Sequence, residues 1–243
     1  MSAVQYHQMS ADRRLAYRFT SGRGPALVFL PGYLSDMAGA KAQAVFAWAQ
    51  AQRRACLLLD YSGCGMSSGV FADGTLSRWR DEVTALIEAV CPQPVVLIGS
   101  SLGGWLMLLI ARAKPDRVTA LIGIAAAPDF TDWGYSPAQK AALTAGGTVF
   151  KHNRYGSEPT PTHAAFWRDG EANRLLDAPI ALTCPVRLLH GQADADVPWQ
   201  TALRLAEGLR SADVQVSLVK DGDHRLSRDA DIAGLLRTIA ALP

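Results

Sequence analysis

Charge and cysteine are both sparse in this chain. Of its 243 residues only 19% are charged, and 24 Lys and Arg against 22 Asp and Glu leave a formal net charge of +2. No Lys/Arg run concentrates the positive charge, which excludes the footprint of a nucleic-acid binder and a polybasic membrane anchor. The four cysteines, Cys56, Cys64, Cys91 and Cys184, form no CxxC pair and have no histidine at ligand spacing. They suggest neither a zinc site nor a disulfide framework and read as free thiols in a reducing compartment. The N-terminus, MSAVQYHQMSADRR, lacks an apolar core and carries Asp12 early. It resembles neither a secretory signal nor a transit peptide, and the expected location is cytoplasmic. No apolar run reaches the roughly 20 residues of a spanning helix, so stable membrane insertion is not expected. The nearest approach, 95–111 (VVLIGSSLGGWLMLLIA), is interrupted by Gly99, Gly103 and Gly104 and reads as a buried strand, a sharp turn and a buried helix.

What the chain does have is apolar content, 49%, enough to outweigh the ordering entropy that keeps polar chains disordered. Short apolar runs at 26–30, 55–60, 95–98, 118–125, 186–190 and 214–219 alternate with helical patterns. That alternation predicts an α/β fold, a mostly parallel sheet flanked by helices. Residues 4–9 and 15–19 are candidates for an antiparallel edge pair, bringing the sheet to about eight strands. The clearest helix is Leu76–Val90, where Leu76, Trp79, Val83, Leu86, Ile87 and Val90 make one apolar stripe. Ile232, Leu235, Leu236 and Ile239 repeat the pattern near the C-terminus.

The rhythm breaks at 127–183, where Pro128, Pro137, Pro159, Pro161 and Pro179 interrupt any regular pattern. The expectation is a single domain, 1–243, carrying this segment as an inserted lid. Among its aromatics, which include Phe150 and Tyr155, the residues Trp133, Tyr135, Phe166 and Trp167 are the candidates for lining an apolar substrate pocket. The alternative is that they pack the insertion onto the body.

Gly99-Ser100-Ser101-Leu102-Gly103 is a G-x-S-x-G sequence that follows one predicted strand and opens a helix, the context in which the middle serine is a nucleophile. Its hydroxyl then sits at a helix N-terminus, where free N–H groups favour developing negative charge. A serine needs a base and a group that orients the base. Asp194 and Asp196 follow the strand 186–190 in His190-Gly191-Gln192-Ala193-Asp194-Ala195-Asp196. Asp194 is the candidate orienter, and Asp196 a cap for the helix starting near Trp199 or a supporting group. His224, in Asp221-Gly222-Asp223-His224 after the last strand, has the position and chain order of the general base. His190 reads as structural, His152 and His163 fall in the insertion, and His7 lies near the terminus. The oxyanion-hole candidates are the N–H of Leu102 and, in the loop Leu30-Pro31-Gly32-Tyr33-Leu34, that of Tyr33. No further cluster completes a metal site around Asp221, Asp223 and His224, so neither a metal nor an organic cofactor is expected.

The stretches LPGYLSDMAGAKA, DYSGCGMSSG, IGSSLGGWLMLLIA, RLLHGQADADVPW and DHRLS resemble the α/β-hydrolases. Within them they resemble the abhydrolase-domain group of acyl-protein (palmitoyl) thioesterases and acyl-glucuronide esterases, whose animal member is mitochondrial. The resemblance implies an α/β-hydrolase fold, a triad at Ser101, Asp194 and His224, and hydrolysis of S-palmitoyl thioesters or of esters such as acyl glucuronides. The expected activity is a serine hydrolase that cleaves carboxylic esters or thioesters of apolar acyl groups, small or protein-linked, through an acyl-enzyme. The rivals are a cofactor-free perhydrolase or carbon–carbon bond hydrolase on the same triad, and a non-catalytic ligand-binding protein of the same fold.

Overall fold

The computed structural model describes residues 3–242; Met1, Ser2 and Pro243, which belong to the expected 1–243 domain, lie outside them. The strands in chain order are β1 (Gln5–Gln8), β2 (Arg14–Thr20), β3 (Arg23–Leu30), β4 (Arg54–Leu59), β5 (Val95–Ser100), β6 (Val118–Ile124), β7 (Thr148–Lys151), β8 (Thr160–His163), β9 (Val186–Gly191) and β10 (Val214–Val219). The helices are α1 (Ala40–Ala51), α2 (Leu76–Val90), α3 (Leu102–Ala113), α4 (Phe130–Trp133), α5 (Pro137–Thr144), α6 (Ala164–Ala172), α7 (Gln200–Gly208) and α8 (Asp229–Ala240). Eight strands form one sheet in the order β1-β2-β4-β3-β5-β6-β9-β10. From β4 to β10 the neighbours are parallel, and β1 and β2 add an antiparallel edge.

The parallel strands lack polar alternation because both of their faces are covered. Ala26, Val28 and Leu30 of β3 pack with α2, α3 and α7, whereas Leu27 and Phe29 turn to the layer of α1 and α8. The α2 stripe buries Leu76, Trp79, Val83, Leu86 and Ile87, and Thr75 caps the helix by accepting the Arg78 N–H at 3.2 Å. In α3 every residue from Leu102 to Ala111 is buried. Its uncharged composition therefore belongs to a helix enclosed on all sides, and among the described residues no helix is long and apolar enough to cross a membrane. All four cysteines are free, three of them buried.

Between β6 and β9 the sequence reading needs correcting, because the prolines there open and edge regular elements. Pro137 is the first residue of α5, behind a Ser136–Gln139 capping box, where its missing N–H costs nothing. Pro161 lies in the two-stranded β7–β8 hairpin opposite Phe150, a strand without a crowded ladder on both sides. Tyr135, Leu143 and Val149 form a small core of this segment, with Phe130 and Trp167 against it.

Candidate active site

Ser101 lies at the junction of β5 and α3 with φ 54° and ψ −115°, a left-handed backbone that a serine adopts only when its surroundings impose it. Three bonds do so here: Ser101 N–H donates to Ile124 O at 2.9 Å, and Ser101 O accepts from Gly104 N at 2.9 Å and Ala127 N at 3.1 Å. The turn also requires α3 to touch β3, since a Cβ on Gly103 would lie 2.1 Å from Leu30 O. The result lifts Ser101 out of the sheet edge at the start of a helix.

Asp194 and His224 come from the loops after β9 and β10, whose C-terminal ends are register neighbours. The two loops meet at Gly191, where a Cβ would fall 2.1 Å from Gly222 O, and Ala193 N–H donates to Gly222 O at 3.0 Å. His224 Nδ1 lies 2.8 Å from Asp194 Oδ2, and His224 Nε2 lies 3.1 Å from Ser101 Oγ. A ring nitrogen facing a carboxylate carries the proton, which leaves Nε2 free to accept from the serine hydroxyl. The Asp194 side chain has no exposure. Burial alone would raise its pKa, but hydrogen bonds from His190, His224 and the Val197 N–H hold it well below the usual carboxylate range.

Leu102 is the first residue of α3, so its N–H is one of the donors a helix leaves without an intrahelical acceptor. Tyr33 lines the same cavity as Ser101 and His224, about 460 Å³ in volume. Its loop is held from both sides. Tyr61 O–H donates to Pro31 O at 3.0 Å, and Tyr33 O–H donates to Pro161 O of β8 at 3.0 Å. The Tyr33 ring packs against Phe71, Trp79, Phe130 and Phe166.

Trp133, Tyr135, Phe166 and Trp167 are not among the residues lining this cavity. Trp133 and Trp167 donate their indole N–H to Pro128 O and Thr131 O at 2.9 and 3.0 Å, and Tyr135 O–H meets Thr162 Oγ1 at 2.6 Å. Phe166 stacks on Phe130 with ring centroids 5.7 Å apart. These rings fasten the insertion to itself and to the body, where their apolar area is best buried. Of the aromatics named for this segment, Tyr155, in the loop between β7 and β8, does line the cavity. Asp196 does not cap α7, whose N-cap position is Trp199 and which has no side-chain cap bond. It accepts from Tyr155 O–H at 2.9 Å and pairs with Arg154 at 3.4 Å. Potential ligand atoms of Asp194, Asp196 and His224 lie within 4.8 Å of one another, but each is engaged in the hydrogen bonds just described. Asp223 accepts the Leu226 N–H at 3.0 Å.

The sequence reading missed one neighbour of the site. His190, read as structural, lies within hydrogen-bond distance of Asp194 Oδ2 at 3.1 Å. The four-residue interval from His190 to Asp194 was the available signal, and it has meaning only once the turn after β9 is known.

Residues 27–238 match the model of the alpha/beta hydrolase family. The chain is 44% identical over 244 residues to the palmitoyl-protein thioesterase ABHD10, mitochondrial, of Mus musculus, covering 98% of this chain and 82% of that protein. The Homo sapiens protein of the same name is 41% identical over 229 residues, covering 93% and 75%. The solved structure of alpha/beta hydrolase domain-containing protein 10 from mouse superposes with a TM-score of 0.92 at 40% identity, covering 99% of this chain and 98% of that one. The two palmitoyl-protein thioesterases are named as mitochondrial proteins, which overturns the expectation of a cytoplasmic location. Free thiols and near-neutral charge suit any reducing compartment and so carried no address. Over nearly its whole described length, in sequence and in superposed structure alike, the chain belongs to the alpha/beta hydrolase family.

Proposed function

We propose that this protein is a serine hydrolase that cleaves thioesters, and esters, of apolar acyl groups, with Ser101 as nucleophile, His224 as general base and Asp194 as the group that orients it. The observation that carries this reading is the hydrogen-bonded line from Asp194 Oδ2 through His224 to Ser101 Oγ, at 2.8 and 3.1 Å. The thioester preference rests on relatives 41–44% identical that are named palmitoyl-protein thioesterases.

In this reading His224 Nε2 takes the hydroxyl proton as Ser101 Oγ bonds to the acyl carbon, and the carbonyl oxygen becomes an oxyanion facing the Leu102 and Tyr33 N–H groups. The intermediate collapses by breaking the bond to sulfur or oxygen, and the leaving thiolate or alkoxide receives the proton from His224. Water then repeats the addition on the acyl-enzyme, with His224 again as base, to release the carboxylic acid. Only the chain's own groups and water take part. The segment 127–183 is the lid of this single domain, and its Tyr155-bearing loop bounds the cavity.

The test is intact-protein mass spectrometry after fluorophosphonate treatment, paired with acyl thioesters and esters of increasing chain length. A single adduct on Ser101, lost in Ser101→Ala and His224→Ala, with turnover of long acyl thioesters, is the expected result. Ser101→Ala should lower kcat by about 10⁴- to 10⁶-fold. A folded chain that takes no adduct would remove the enzymatic reading.

A further inference from the structure

Asp194 is approached by two histidines, and only His224 has a place in the chemistry proposed above. The other, His190, is fully buried at the C-terminal end of β9. Its Nε2 lies 3.1 Å from Asp194 Oδ2 and 3.1 Å from Val197 O. Both neighbours are acceptors, so Nε2 must carry the proton. The opposite nitrogen, Nδ1, is buried without a hydrogen-bond partner among the described residues, and a proton there would be an unpaired donor. The ring is therefore the Nε2–H tautomer, aimed at the carboxylate.

We propose that His190 is a positioning residue for the hydrolytic reaction: its Nε2–H, shared by Asp194 Oδ2 and Val197 O, locks the carboxylate that orients His224. The proposal rests on the assignment of Ser101, Asp194 and His224. Oδ1 of Asp194 is held by the Asp196 and Val197 N–H groups at 2.9 Å each, all from the same loop. Oδ2 would otherwise be held by His224 alone, the group it is meant to orient, and carboxylate torsions are broad when little restrains them. His190 supplies the missing restraint from the sheet, where it is paired in register with Leu218 of β10. Val197 closes the arrangement, since its N–H bonds Asp194 and its carbonyl bonds His190. A side chain on a rigid strand thus fixes one on a loop, which in turn fixes the base.

The test compares His190→Leu, which fills space without a donor, with His190→Gln, whose amide N–H reaches the place of Nε2. Steady-state kinetics on an acyl thioester, the rate of fluorophosphonate labelling and Tm are read for each. His190→Leu should lose about 10- to 100-fold in kcat with KM within about twofold, and label Ser101 correspondingly more slowly. His190→Gln should regain most of that rate. Should His190→Leu fail to fold, His190→Asn, whose amide is too short to reach Asp194, takes its place. Unchanged kcat in the donor-free variant, or equal loss of kcat and Tm in both variants, would overturn the proposal and leave His190 a packing residue. Failure of the wild-type chain to label at Ser101 would instead strike the assignment beneath it.

Discussion

At the scale of single residues, the proposed nucleophile depends on atoms that are absent. Ser101 can hold its left-handed backbone only because α3 starts directly against β3, and that approach leaves no space for a methyl group at Gly103. Gly103→Ala places a Cβ on the Leu30 carbonyl, a backbone atom that cannot swing aside, and should destabilise the fold by about 1–3 kcal/mol or more. Chemical denaturation, read together with fluorophosphonate labelling, checks this; stability and labelling should fall together. Ser101 and the glycines around it were legible in the sequence because the whole motif is five residues long and lies between a strand and a helix. Asp194 and His224 were legible as polar residues just past strand ends. The bond from His190 to Asp194 was not, because nothing in a linear sequence gives the direction of a buried ring.

Elements meet where loops bring them together. Tyr33 joins two of them: its loop follows β3, and its hydroxyl is bonded to Pro161 O in β8. Tyr33→Phe keeps the backbone N–H but frees the hairpin, so labelling of Ser101 should persist while KM for long acyl thioesters rises about three- to tenfold. An unchanged KM across the chain-length series would show that the hairpin does not shape the acyl site. The tip of the same hairpin is held by Asp196, through Tyr155 and Arg154. Asp196→Ala should speed tryptic cleavage after Arg154 several-fold under native conditions, as limited proteolysis can measure. The aromatic residues of the insertion were visible in the sequence, but their destinations were not. Trp133, Tyr135, Phe166 and Trp167 have the composition of a pocket lining and the contacts of a packing layer, and only the position of the body beneath them separates the two.

At the scale of the whole molecule, one response to pH comes from Asp194, whose side chain is buried. Asp194 has a folded pKa held below its unfolded value, so its ionised form stabilises the fold above the ordinary carboxylate value near 3.9, and that stabilisation is lost as pH falls below it. The Tm advantage of wild type over Asp194→Asn should therefore be full near pH 6 and shrink below about pH 4; an advantage independent of pH would contradict it. Lys41 works in the opposite range. Burial, with the nearby Arg225 charge, lowers its pKa to about 8, so its charged form is disfavoured in the folded state and its contribution improves as pH rises from about 8 toward the unfolded value near 10.4. The sequence by itself determined the class of fold, the strands of the sheet, the helix α2 and the strand–turn–helix around Ser101, because each is written in local spacing: apolar runs for strands buried on both faces, a three- and four-residue stripe for α2, a five-residue turn for Ser101. Tertiary structure alone decided the strand order, the packing of 127–183, the partnership of Asp196 with the hairpin and the second histidine on Asp194. Those depend on distances between residues far apart in the chain, which close packing sets and no local pattern encodes.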